Sequence, residues 1–570
     1  MRSTAVAVLA LSALLVAQAA TPKTVDWKDS DGSVSQLTFA SITSATTADE
    51  MKEWRAVDKV IYKYGLSSRD VEYEIGYHPV AKTGCGSKGT QTMLGGDMYA
   101  CNKTTFSDED LPMAVFGVER GTDDTPTVPA MVSDRVSFTS YIPVIGKKGV
   151  KLFSIVGNEG KSPFMDVVEY DYKTGKPTLK TRHSSMAGKG KLASAMGGTM
   201  TTWGTHLGLE ATAADFSEGF PYEYRVKYSG DVEFAQREAM GRGRWTGMVC
   251  MADKKTCLGF VDDYLVMFVA KTAKDLSNGA LYAAKISVEG KISWLKLTGD
   301  SATAQEDARA MYTKIADDLW EGSSDKIKTG KEDMAARLTT ARAAAAMGAT
   351  KVQNVVGMTY SFEAGTVYAA VSSLVSFAGE ADRPCGAILS LKVGKYAVPK
   401  LDEDGAAMLD AKTDEAVMKV VTNEAVTLAA LVDVTSSGSA CSADLVRSPL
   451  TLAFAQYHNT LFIGEGHTDN AAVWAYDTKT STLARVMTYP TGRKVSSLGW
   501  YQNLVGDARS FLFASAWSDT SSGDGQTGFL GPFFMPGYSS GSSDILPNTG
   551  LPLWDSTQPN ALVSQYADNL

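Results

Sequence analysis

The residues best placed to do chemistry are acidic side chains that end strand-like runs. Gly157-Asn158-Glu159-Gly160 closes one apolar run. Glu210 closes Thr202-Trp203-Gly204-Thr205-His206-Leu207-Gly208-Leu209, where His206 is the only other ionisable group. Asp262-Asp263 ends the run after Cys257, and Gly464-Glu465-Gly466-His467-Thr468-Asp469-Asn470 ends another. Carboxylates that converge at strand ends supply the hard oxygen ligands calcium prefers, so Glu159, Glu210, Asp262 and Glu465 are the candidate metal ligands. Glu210 leads them, because an apolar neighbourhood makes a carboxylate without a partner costly. Taken singly, each also fits an ordinary solvated turn. The basic candidate is Gly241-Arg242-Gly243-Arg244-Trp245, in which Arg242 and Arg244 could grip a phosphate through forked donors. A polar turn before a strand is its plainer explanation. No P-loop, GxSxG, HExxH or EF-hand loop occurs.

The elements that must position these groups read as hairpin after hairpin between about residues 150 and 520. Ala280 to Ile286 turns at Glu289-Gly290 into Ile292 to Leu297, Thr451 to Ala455 turns at His458-Asn459 into Leu461 to Ile463, and Val473 to Asp477 turns into Leu483 to Met487. Ala387 to Lys392 is expected to pair with Tyr396 to Pro399. Short antiparallel sheets feeding one another predict an all-β fold, a β-propeller over 141–520; a double-sheet sandwich is the structural alternative. The acidic strand ends would then gather at one mouth of the ring. An Ala-rich stretch stopped by Gly348 predicts a helical insertion over 300–348. Residues 20–140, with a helix over Asp49 to Tyr64, are expected to pack on the propeller. The Gly, Ser and Pro-rich segment 521–570 is expected to be irregular.

The chain has 570 residues, 44% apolar, with 64 Asp and Glu against 55 Lys and Arg. That is enough apolar material for a sizeable core, and a net charge of −9 argues against nucleic acid or an anionic membrane as partner. Residues 1–19 read as a signal peptide: Arg2, an apolar run from Ala5 to Val16, then Ala17-Gln18-Ala19. No later run is long and apolar enough to span a membrane, so a secreted, monomeric protein is expected. Cys85, Cys101, Cys250, Cys257, Cys385 and Cys441 read as disulfides in such a chain, with neighbouring pairing cheapest in loop entropy.

Gly197-Gly198-Thr199-Met200-Thr201-Thr202-Trp203-Gly204-Thr205-His206-Leu207-Gly208-Leu209-Glu210 resembles the signature of the PhoX-type alkaline phosphatases. Phe153 to Glu159, Ala239-Met240-Gly241-Arg242, Gly279 to Lys285, Ala346 to Thr350 and Val473 to Asp477 follow in the family's order. The resemblance spans roughly residues 130 to 520. It implies a secreted, propeller-based phosphomonoesterase acting on small phosphate esters with a ferric pair and calcium ions, which would polarise the phosphoryl group. The alternative is a non-catalytic calcium-binding extracellular propeller, serving as a binding or wall-associated protein. The chain departs from the family pattern at four places. Ser194-Ala195-Met196 stands where the family has a metal-bridging Cys, and Ala211 where it has a second Glu. Thr246-Gly247-Met248 and Asn354-Val355-Val356 stand where it has further metal carboxylates and an Arg.

Overall fold

Runs of β-branched and aromatic residues punctuated by turns build a stack of antiparallel sheets. The computed structural model describes the chain within residues 36–534. The longest stretches it leaves undescribed there are 88–98, 101–134, 184–194, 211–218, 299–318, 400–417, 420–427 and 431–440. Six sheets share one plan, each with one edge strand, here called its first, from which neighbouring strands follow in chain order. Those strands are Arg135–Gly146, Ala195–Met200, Trp245–Cys250, Val355–Ser361, Pro449–Ala455 and Arg493–Gln502. They pack against one another in cyclic order, and the sixth returns to the first.

The same irregularity recurs in all six. Each first strand shifts register against its second near its start: at Val136/Thr139, Ala195/Gly197, Trp245/Gly247, Val355/Gly357, Pro449/Thr451 and Val495/Ser497. Such a bulge bends the strand and increases its twist, which lets successive edges turn around a common centre. The edges approach closely. A Cβ on Gly357 would lie 2.6 Å from the Leu450 carbonyl oxygen, and one on Gly247 would lie 3.3 Å from the Gly357 carbonyl carbon.

The cores lie between neighbouring sheets. Leu258, Phe260 and Met267 of the third meet Val367, Ala369 and Leu389 of the fourth, while Phe462 and Val473 of the fifth meet Leu512 and Leu530 of the sixth. Each fully buried side chain of this size contributes about 1.5–3 kcal/mol.

Several expectations are revised. The helix expected over Asp49 to Tyr64 is a 3-10 turn, Glu50–Lys52, followed by strands Arg55–Ala56 and Lys59–Lys63. Val60 and Tyr62 alternate into the core, a period of two that overrides the charged helix formers before them. Arg55–Ala56 extends the fifth sheet and Gly76–Lys82 the sixth, so the N-terminal part completes the cycle's last two members. The segment expected to be irregular contains the strand Gln526–Phe534, held between Arg509–Ser518 and Gly76–Lys82. Here Phe529, Leu530 and Phe533 are buried, and their burial outweighs the glycine-rich composition. Ala387–Lys392 pairs with Leu428–Ala430, and Val398–Pro399 pairs with Met418–Lys419.

The helical insertion is observed as Glu332–Leu338 and Thr340–Ala346. Gly348 (φ +81°) ends it as expected, with its N–H donating to the Ala345 carbonyl and that of Ala349 to the Ala344 carbonyl. Disulfides Cys250–Cys257 and Cys385–Cys441 form, the first between directly opposed residues of a hairpin. Cys85, Cys101 and the expected signal peptide lie outside the described residues. Among the described residues, no helix is long and apolar enough to cross a membrane.

Candidate functional site

Because each second strand runs antiparallel to the first, it ends where the first begins. Glu159 is paired with Arg135, Glu210 with Ala195, Val261 (just before Asp262) with Trp245, and Glu465 with Pro449. Glu159, Glu210 and Glu465 therefore hold the same register position in three sheets, and Asp262 lies one residue beyond it in a fourth, all at one end of the cycle. The side chain of Glu159 lies outside the described residues.

The second and third sheets link four expected residues, Glu210, Arg242, Arg244 and Asp262, through a chain of mainly backbone hydrogen bonds. Glu210 is fully buried and accepts a hydrogen bond from the Gly219 N–H. The Gly219 carbonyl accepts from the Gly243 N–H, and the Arg244 N–H donates to Asp262 Oδ2. A Cβ on Gly243 would lie 2.6 Å from Asp262 Oδ2, so a side chain there would push the Asp262 carboxylate aside. Arg242 is anchored through its N–H, which donates to the Arg337 carbonyl and to Thr340 Oγ1 of the helical insertion. The half-exposed Arg244 guanidinium stands 4.0 Å from both Asp262 and Asp263. Asp262 and Asp263 form the two-residue turn of a hairpin, with φ of 46° and 72°. That is a conformation Asp tolerates better than most side chains.

Glu465 is built differently. It is fully buried and takes four donors: the Arg447 N–H at 3.0 Å and Trp474 Nε1 at 2.9 Å on Oε1, with Arg447 Nη2 at 3.2 Å and the Ala472 N–H at 3.0 Å on Oε2. Burial pushes its carboxyl above the usual range, and Arg447 is foremost among the groups pulling it back. Arg447 and Trp474, the two side chains that hold Glu465, were not among the candidate site residues. Only their places, at the start of the fifth sheet's first strand and on its third, tie them to Glu465.

The Trp203-Gly204-Thr205 motif proves to be a clasp. Trp203 Nε1 and Thr205 Oγ1 both donate to Glu223 Oε1, at 2.9 and 2.6 Å, and Arg237 pairs with Glu223 Oε2. Gly204, at φ +82°, makes the turn possible. A second buried carboxylate is thus closed by a tryptophan and an arginine.

Two cavities of about 120 Å³ each lie among the six first strands and share Phe138, Gly198, Met358 and Leu452. Among the described residues, no charged side chain lines either one. His206 is buried behind Gly198, its Nδ1 2.8 Å from Ser140 Oγ, and desolvation holds its pKa at about 3.

A ferric pair or calcium ions would need carboxylates or a thiolate converging in one place. Among the described residues, no three His, Cys, Asp or Glu side chains converge so. Both oxygens of Glu465 are occupied, and Asp262 is engaged with Arg244. The donor set present among the described residues does not fit that metal group.

Neither a family model nor a curated protein sequence matches the chain. Among solved structures it is similar to PhoX of Pseudomonas fluorescens, determined in complex with vanadate, a transition state analogue. The TM-score is 0.56 at 12% identity, over 87% of this chain and 98% of that one. A putative 6-phosphogluconolactonase from Bacteroides uniformis (TM-score 0.29, 11% identity, 62% and 84% coverage) and a protein from Desulfotomaculum acetoxidans (0.29, 7%, 75% and 92%) are far less alike. The first likeness is one of fold.

Proposed function

We propose that the six sheets are blades of a β-propeller of PhoX-like build, exported from the cell, which works by binding rather than by metal-assisted hydrolysis. The likeness to PhoX supports the architecture, and an architecture alone does not carry a reaction with it. The observation that carries this reading is Glu465. A carboxylate at the end of the cycle where ligands were expected is closed by Arg447 and Trp474 within its own sheet. The two disulfides and the leader-like residues 1–19 support export. An extracellular or wall-associated partner is the corresponding occupant.

A second reading keeps the phosphomonoesterase. It is favoured by the linked neighbourhood of Glu210, Arg242, Arg244 and Asp262. In it, Arg242 and Arg244 steady the phosphate of a small ester, while Glu159, Glu210 and Asp262 hold calcium. One assay separates the two. The purified protein is offered a generic aryl phosphate at alkaline pH, after chelation and after re-addition of calcium or ferric iron. The binding reading expects no turnover in any condition. Turnover lost to chelator and restored by metal would overturn it.

A further inference from the structure

The loop after Glu465 wraps a guanidinium as such loops wrap a metal ion. Arg447 Nη2 lies 3.2 Å from Glu465 Oε2, 2.8 Å from the Asp469 carbonyl oxygen and 3.3 Å from that of Asn470. One carboxylate and two backbone carbonyls form the kind of oxygen set a hard divalent cation collects. The set is tied down from behind, because Glu465 also accepts from the Ala472 N–H and Trp474 Nε1. Arg485 stacks over Trp474 at 4.3 Å and donates to the Ile42 and Ala443 carbonyls, so the second guanidinium of this corner is held away from the oxygen set. Arg447 keeps 9% of its side-chain surface exposed, and Glu465 keeps none.

We propose that Arg447 is a built-in cation: its guanidinium fills the electrostatic place of a divalent ion in the Glu465–Asn470 loop, making this corner of the fold independent of metal. A guanidinium cannot be removed by chelators or lost on dilution. The proposal does not depend on whether the protein is catalytic.

The test is thermal unfolding of the full chain with chelator and with millimolar calcium. Wild-type protein is expected to melt at the same temperature in both with respect to this corner, so the diagnostic quantity is the calcium response of variants relative to it. Arg447→Ala should melt several degrees lower in chelator and recover part of that loss in calcium, as the freed oxygens take the ion. Adding Glu465→Gln should abolish the recovery. Arg447→Lys, which keeps the charge, should respond to calcium no more than wild type. The double variant Arg447→Met with Glu465→Gln should fold and remain indifferent to calcium. An Arg447→Ala protein that gains nothing from calcium, or stays unfolded with and without it, would overturn the proposal. Aryl phosphate turnover by wild-type protein would instead overturn the binding reading and leave this result standing.

Discussion

Glu465 shows how much a single carboxylate depends on its neighbours. Replacing it with Gln leaves Arg447 buried and without its counter-charge. Breaking a buried pair from one side typically costs about 3–5 kcal/mol, so the urea midpoint of Glu465→Gln should fall steeply, and far more than that of a variant at the half-exposed Asp262, Asp262→Asn. Two buried imidazoles set the acid limb. Burial holds His206 and His458 at about 3, against 6.5 when exposed, so the folded state keeps them neutral while the unfolded chain takes up protons. Their contribution is full above pH 6.5 and is lost as pH falls towards 3, by up to about 2.7 kcal/mol per unit for the pair. Urea unfolding across that window should show the loss, and replacing both residues with Asn should flatten it. At this scale the sequence singled out Glu210, Asp262 and Glu465 by their surroundings, and the structure adds the protein groups each one meets: the Gly219 N–H, the Arg244 N–H, and Arg447 with Trp474. An apolar neighbourhood around Glu210 signals a partnered carboxylate but does not name the partners, one of which is the Gly219 N–H.

Hairpins were legible because their turns and alternation are local. The two-residue turn at Asp262-Asp263 and the stapled pair Cys250–Cys257 follow from adjacent residues. What stayed hidden was the recurrence of a bulge in all six first strands, since it is a relation between backbones rather than a residue pattern. Close approach of those strands makes Gly357 a sensitive point. Gly357→Ala should destabilise the protein by about 1–3 kcal/mol through overpacking against Leu450 and Thr451, seen as a lower denaturant midpoint with an unchanged slope. The disulfides should differ as their loops do. Removing Cys385–Cys441, with 56 residues of separation, should cost about 4 kcal/mol, and removing Cys250–Cys257, with seven, about 2.5 kcal/mol on the chain-entropy account. Thermal unfolding of the paired alanine variants reads the order directly.

On the scale of the whole molecule, the cycle of six sheets is completed by strands from far upstream. Gly76–Lys82 borders Gln526–Phe534, so an N-terminal strand and the last described strand pair in one sheet. Neither was placed from sequence, because their pairing joins residues far apart in the chain and the C-terminal strand lies in glycine-rich text. A chain beginning after Lys82 should lose cooperative unfolding, whereas removal of residues 1–19 should leave it intact. The account as a whole turns on whether carboxylates at one end of the cycle serve the fold or a metal centre. Metal content of the protein purified without added metal or chelator decides this most directly. The account predicts no stoichiometric iron, and an iron pair bound in every molecule would contradict it.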